Sequence, residues 1–457
     1  MATVLSRRVF LARMSALAGG ALALAACQPT PTAAPAATEV PKAEEVATEA
    51  PAATPAAPSG EVVTLTMWKG PHKSAGDETK LCAGPTLEKF MAEYPNIKVE
   101  FQEVPWSGYN EKFTSAFAAG QPPDVSYQTE SFPTFVKAGN ILPLDDLIAQ
   151  SGFDLGVMLA RAIEIVTYSG KIYAMPWIEG GSILMYNKDL LEKAGLDPET
   201  PPDTMEQFLE YAKKIRALGD DIYGYAVGPR DWHENGYWGL RWGGSWFNED
   251  YTQCLADSEE FIEGYQFMAD LFFKDQVAMP AAITGQEPGS YGYFRDGKVG
   301  MTTYQSIVAN SLRRDNPDLK LGGAYVPKGP AAEPAGRAAY GGVGALAIAK
   351  DSKHIPESWT LVQWLVTPEA LKSWIGCLGF AVARNDVSMF ADDPVLKVGE
   401  DGRQFHFFWP YTEWVFKFWD QEATYLEAIQ LGQMEVEPAL KELTAKINDI
   451  LKEAQQA

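Results

Sequence analysis

Glu61-Val-Val-Thr-Leu-Thr-Met-Trp68, Ile97-Lys-Val-Glu-Phe101 and Asp124-Val-Ser-Tyr127 are the stretches that decide how this chain folds. The first alternates polar residues with apolar and β-branched ones, the pattern of a strand with one buried face. Between it and the second, residues 85–94 have helical spacing and run into the turn Pro95-Asn96. Between the second and the third, 109–119 read as a helix that stops at Gly120, with Pro122-Pro123 beyond it as a stop signal. Strand, helix, strand, helix, strand in this order predicts a parallel sheet with helices on its faces.

The pattern continues outward. Gly170-Lys-Ile-Tyr-Ala-Met-Pro-Trp177 and Ile183-Leu-Met-Tyr186 read as two strands, followed by a short helix over 189–194 closed by Gly195. Thr204 with Gln207 forms a capping-box start for a helix over 205–218. Strands are expected over 222–227, 299–303 and 341–349, and helices over 259–273, 357–365 and 369–375. In the last segment, 438–454, Leu440, Leu443, Ile447, Ile450 and Leu451 share one helical face. No internal repeat is present.

Ahead of this body stands a leader. Ser6-Arg7-Arg8-Val9-Phe10-Leu11 is a paired-arginine region, and the apolar run 14–26 is too short to span a bilayer, which needs roughly 20 residues. It ends in Leu24-Ala25-Ala26-Cys27, which resembles the lipobox of bacterial lipoproteins, and the arginine pair resembles a twin-arginine export signal. The resemblance implies a signal peptide over 1–26 and lipidation of Cys27, so a membrane attachment through that anchor and an exported protein on the outer face of the cytoplasmic membrane. Residues 27–60 are nearly all Pro, Ala, Thr, Glu, Val and Ser, a composition that buries no core and reads as a disordered tether.

From residue 61 onward the chain is long enough for two domains. It is rich in rings, with 13 Trp, 19 Tyr and 22 Phe, and the net charge is −22. An acidic body is a poor partner for nucleic acid or anionic lipid. Cys82, Cys254 and Cys377 lie far apart with no metal-ligand spacing. They read as buried thiols, with a disulfide between two of them left open.

The ordered pieces resemble the family 1 extracellular solute-binding proteins, the class that includes maltose-binding protein. They are Ala118-Ala-Gly-Gln-Pro-Pro-Asp124-Val, Gly170-Lys-Ile-Tyr-Ala-Met-Pro-Trp177, Tyr186-Asn-Lys-Asp-Leu-Leu191, Gly341-Gly-Val-Gly-Ala-Leu-Ala-Ile-Ala-Lys350 and the tail 436–451. The resemblance covers about 62–451 and implies an α/β, two-lobed periplasmic-binding-protein type II fold with crossover strands near 177–181, 325–327 and 376–381. One lobe would hold 61–178 and 327–378, the other 180–325 and 380–457. It further implies a monomer that closes on a sugar between the lobes and delivers it to the permease subunits of an ABC importer, with no cofactor.

A sugar offers hydroxyl edges and apolar C–H faces, so its site calls for flat rings with carboxylates or amides beside them. Parallel sheets place such sites at the carboxyl ends of strands. The candidates are therefore Trp68, Lys69 and His72 after the first strand, and Gln128 and Glu130 after the third. Trp177 and Glu179 stand at the first crossover, where the resemblance implies a ligand-binding carboxylate at Glu179 and a second at Asp231. Trp232, Trp238 and Trp242 follow Asp231 in a stretch that also holds Trp246, Glu234 and Arg241. Tyr304, Trp409 and Trp419 complete the set. Asp124 reads as structural. The alternatives are the same fold with a polyamine, phosphate ester or metal chelate, or a secreted glycosidase using Glu179 and Asp231 as paired carboxylates. Gly-x-Ser-x-Gly, His-Glu-x-x-His and the phosphate loop are absent from the sequence, and its four His (72, 233, 354 and 406) form no metal cluster in sequence. Gly342-Val-Gly344-Ala-Leu-Ala347 imitates a dinucleotide fingerprint but precedes a strand instead of opening a helix.

Overall fold

A computed structural model describes residues 61–72, 76–130 and 132–456. The leader, Cys27 and the tether expected over 1–60 lie outside the described residues.

The strands are β1 (Val63–Lys69), β2 (Ile97–Glu103), β3 (Val125–Gln128), β4 (Thr167–Tyr168), β5 (Lys171–Ile172), β6 (Met175–Asn187), β7 (Tyr223–Ala226), β8 (Val299–Gln305), β9 (Leu321–Ala324), β10 (Ala339–Ile348), β11 (Ala381–Val382) and β12 (His406–Phe408). All but the β4–β5 hairpin join one sheet of path β2-β1-β3-β10-β6-β8-β7. The first three are mutually parallel, as the strand–helix alternation requires: Val63 pairs with Ile97, and Met67 with Val125. At the other end β7 runs parallel to β8. Between these two parallel groups lie β6 and β10, antiparallel to each other, with Gly341 opposite Gly181 and Leu346 opposite Met175.

Every residue of β6 and β10 is buried. The two expected strands at 170–177 and 183–186 are thus largely one strand, β6. Residues 178–182, between the two strand readings and where the resemblance implies a crossover, continue the ladder; β6 is buried on both faces, which leaves no alternation to read. The first half of β6 pairs with β10 and β11, the second half with β8 and β9.

Two large cores flank this pair. One gathers Leu65, Met67, Trp177, Trp359 and Trp374 beneath the helices Gly84–Glu93 and Ile355–Leu365. The other gathers Trp238, Trp246, Tyr265, Trp409 and Phe418 with the helices Glu259–Phe273, Val415–Gln430 and Val436–Gln456. The last helix buries Leu440, Leu443, Ile447 and Leu451, as its periodicity predicts. The capping box forms: Gln207 N donates to Thr204 Oγ1 and Thr204 N to Gln207 Oε1, both at 3.3 Å. Asp124 accepts from Thr66 N at 2.8 Å and from Ser352 Oγ at 2.7 Å, the structural role expected of it. Cys82 and Cys377 form a disulfide, while Cys254 is a buried free thiol. Among the described residues no helix is long and apolar enough to cross a membrane.

Candidate ligand-binding site

The carboxyl ends of β1 and β3, the loop after β2 and the middle of β10 border a cavity of about 490 Å³. His72, Trp106, Tyr109, Tyr127, Glu130 and Phe380 line one side of it, and Trp232, His233, Phe416 and Trp419 the other. Gln305 and the backbone of Gly342, Val343 and Gly344 border it from β8 and β10.

The first side is held by a buried polar network. Lys69 is fully buried at the end of β1, and its Nζ lies 2.7 Å from Glu78 Oε1. Glu78 also accepts from Trp374 Nε1 at 2.8 Å and from His72 N at 2.7 Å. The His72 ring meets Phe380 edge-on at 4.9 Å and Trp106 at 5.4 Å. Burial and the neighbouring Lys69 charge hold the His72 imidazole well below its usual pKa. Tyr340 Oη donates to Glu130 Oε1 at 3.4 Å, and burial pushes the Glu130 carboxyl up.

The second side is a stack of rings. Trp232 lies over His233 at 4.0 Å, meets Tyr340 edge-on at 4.9 Å and leans on Trp419 at 5.2 Å. Phe416 closes against Trp419 at 5.2 Å. Asp231 Oδ1 accepts from His233 N at 3.0 Å and stands 3.2 Å from its Nδ1, so it orients a residue of the lining.

The glycines of β10 make the floor possible. A Cβ on Gly344 would stand 1.9 Å from Tyr127 Oη, and one on Gly342 2.1 Å from Tyr340 Oη. The Gly-x-Gly run that imitates a nucleotide motif is there so that two phenols can reach the cavity.

Of the residues expected from sequence, His72, Glu130, Trp232 and Trp419 line this cavity. The others lie elsewhere. Trp68 packs on Phe113 at 5.3 Å under Lys112, and Lys69 is inside the network. Gln128 is buried and donates to Ser126 Oγ at 2.9 Å. Trp177 is in the core and donates from Nε1 to Leu365 O at 3.1 Å. Glu179 is buried in an ion pair with Arg403 (Nε–Oε2 3.0 Å, outside hydrogen-bond geometry), with His406 Nδ1 at 3.4 Å. Trp238 and Trp409 belong to the second core, and Trp242 packs on Phe267 at 5.0 Å. Tyr304 pairs its hydroxyl with Ser290 Oγ, and its neighbour Gln305 takes the place in the lining. Glu234 and Arg241 form a buried bidentate pair at 2.7 and 2.8 Å. Among the described residues no group of three His, Cys, Asp or Glu is set to hold a metal ion.

Sequence reasoning missed Trp106, Tyr109, Tyr127, Tyr340, Phe380 and Phe416. Trp106 was within reach, because it follows the carboxyl end of β2, the location searched after β1 and β3.

A family model described as bacterial extracellular solute-binding protein matches residues 76–372. The chain belongs to that family. This solute-binding protein is similar to a protein of Brucella abortus (strain 2308) that carries only a binding-protein name, 27% identical over 389 residues, 81% of this chain and 90% of that one. Among solved structures, an ABC transporter solute-binding protein from Thermotoga lettingae bound with α-D-tagatose has a TM-score of 0.73 at 26% identity, covering 85% of this chain and 100% of that one. UgpB from Mycobacterium tuberculosis in complex with glycerophosphocholine has a TM-score of 0.75 at 19% identity, covering 88% and 100%, and shares the fold. The fold class is the expected α/β, two-lobed one, and the proteins this chain resembles are binding proteins.

Proposed function

We propose that this protein captures a sugar or oligosaccharide in the cavity between the two ring-lined sides and delivers it to the permease of an ABC importer. In this reading Cys27 carries the lipid anchor that holds the exported protein at the outer face of the membrane. The lobes are 61–178 with 327–378 and 180–325 with 380–457, and they close on the ligand about the segments near 177–181, 325–327 and 376–381. Closure follows from the ligand's greater affinity for the closed form.

One observation carries the reading: Trp232, Trp419, Trp106 and Phe416 meet Glu130, Gln305, Tyr127 and Tyr340 around one cavity. Rings stack on the C–H faces of a pyranose while carboxylate, amide and phenol groups take its hydroxyls. The glycosidase alternative loses its carboxylate pair, since Glu179 is tied to Arg403 and Glu130 is the one carboxylate among the described lining residues. A phosphate ester would call for cationic side chains; the described lining residues include no Lys or Arg.

The test is calorimetry and thermal unfolding of the mature protein against maltotriose, glucose, α-D-tagatose and glycerophosphocholine. A bound sugar at 100 times Kd should stabilise by about 2.7 kcal/mol. Binding of glycerophosphocholine with no response to any sugar would replace the sugar by a phosphate ester.

A further inference from the structure

Lys69 lies in the wall of the site without reaching the cavity, and the reason for burying a cation there is legible in its contacts. Its Nζ has three neighbours at hydrogen-bond distance: Glu78 Oε1 at 2.7 Å, Gly70 O at 2.9 Å and His72 Nδ1 at 2.7 Å. An ammonium has three N–H donors and no lone pair. Burial lowers the Lys69 pKa and the Glu78 carboxylate at 2.7 Å opposes that; as the ammonium of this ion pair Lys69 commits all three donors, so His72 Nδ1 must accept. An imidazole that accepts at Nδ1 is neutral and carries its proton on Nε2. Glu78 in turn is fixed by Trp374 Nε1 and His72 N.

We propose that Lys69 is a positioning residue that locks His72 in the Nε2–H tautomer, so that His72 acts as a fixed hydrogen-bond donor selecting a ligand with an acceptor oxygen at that place. This rests on the cavity being the ligand site. Besides Lys69, the ionisable group against the ring is Tyr127 of β3, which meets it edge-on at 5.9 Å; Glu78 and Glu103 act on Lys69, and Glu130 and Tyr109 on Tyr127. Phe380 and Trp106 meet it in T-shaped contacts at 4.9 and 5.4 Å. Among the described residues no carboxylate touches the imidazole ring nitrogens, whereas Lys69 does, so protonation of His72 would set two cations against each other. The donor therefore persists through mildly acidic conditions, where an ordinary histidine, with a pKa of about 6.5, becomes charged.

The chain has only four histidines, so long-range 1H–15N NMR of the ligand-free, histidine-labelled protein resolves them, with His72→Gln providing the assignment. The expected result is an Nε2–H neutral ring for His72 with unchanged shifts from pH 5 to 8. An Nδ1–H ring, or a titration near the ordinary midpoint, overturns the inference. In Lys69→Met/Glu78→Gln, which removes both charges together, His72 should titrate again; if the double variant does not fold, Lys69→Arg serves, since a guanidinium also only donates: the Nε2–H ring should persist there, and an Nδ1–H ring overturns the inference. Binding supplies the second arm. For maltotriose, His72→Leu should weaken affinity about 5- to 20-fold while His72→Gln, which keeps a donor, recovers most of it. Equal affinity of wild type and His72→Leu overturns the selecting role. The NMR arm needs no ligand, so failure of every sugar to bind would remove the sugar reading and leave the tautomer result to stand or fall by itself.

Discussion

The two sides of the cavity are built on different principles, and two buried carboxylates show it. Glu78, behind the first side, accepts from Lys69, Trp374 and His72, so both of its oxygens are satisfied. Glu422, behind the second side on the helix that carries Phe416 and Trp419, is equally buried, yet its Oε1 has no hydrogen-bond partner among the described residues. Directional hydrogen bonds hold the first side in one geometry, which suits groups that must meet hydroxyls at fixed angles. The second side, apart from the Asp231–His233 hydrogen bond, is held by ring contacts, whose orientational preference is weaker than a hydrogen bond's and lets an indole shift as a ligand slides beneath it. A site made of one fixed and one adaptable side can read hydroxyl positions without having to match the whole ligand in advance.

The largest effect expected is on the fixed side. Cys82 and Cys377 lie four residues beyond Glu78 and three beyond Trp374, so the disulfide closes a 295-residue separation beside the network. Removing it in Cys82→Ser/Cys377→Ser should cost about 2–5 kcal/mol, read from denaturant unfolding and from the loss of the wild type's sensitivity to reductant. Unchanged unfolding in the double variant would mean that the network needs no staple. Next in size is the adaptable side. Trp232→Ala removes the ring that touches His233, Tyr340 and Trp419, and should weaken sugar binding roughly 30- to 100-fold by calorimetry, about 2–3 kcal/mol. If affinity held, the stacking surface would lie elsewhere.

How much of this was legible beforehand depends on the kind of signal. The parallel ends of the sheet were readable because β1, β2 and β3 alternate with helices that carry their own stop signals. The continuity of β6 through 178–182 was not, since a strand buried on both faces has no period. The helix Val415–Gln430 escaped because its aromatic residues Phe416, Phe418 and Trp419, with Trp414 just ahead of it, point to several sides and blur the 3.6-residue pattern. At the site, the rule of searching after strand ends found His72, Glu130 and Trp232, and it came within one residue at Tyr304, where alternation turned Gln305 inward instead. The rule failed at Trp238, Trp242 and Trp409: a dense run of indoles looks the same whether it covers a ligand or fills a core, and only the sheet and helices behind it decide. Tyr127 and Tyr340 needed the opposite clue, the missing Cβ atoms of Gly344 and Gly342 across the strand.

The contrast between the carboxylates can be sharpened by pH. Burial pushes the Glu422 carboxyl up to about 8, with Asp231 adding to the rise and Arg230 opposing it. Its ordinary value is about 4.5, so between these two pH values the folded chain holds a proton that the unfolded chain has released. A raised carboxyl contributes its stability fully below the unfolded value, and that contribution is lost as pH rises through the folded one. Glu422→Gln, which cannot ionise, should therefore melt at a temperature close to the wild type's near pH 4.5 and progressively above it toward pH 8. A gap that stays constant across the window would show that Glu422 is ionised in the fold and has found a partner.

The smallest effect belongs to the rim. Phe416 is 40% exposed and touches Trp419, so in the ligand-free protein its ring contributes little burial. Phe416→Ala should leave the melting temperature nearly unchanged, as an exposed position within about 0.5 kcal/mol of neutral does. If the adaptable side does shift toward a ligand, however, the ring gains contact only in the bound state, and its removal should weaken binding by about two- to fivefold through faster release. A loss confined to the dissociation rate would tie the rim to closure over the bound molecule, whereas equal changes in stability and affinity would make Phe416 a packing residue like Trp238.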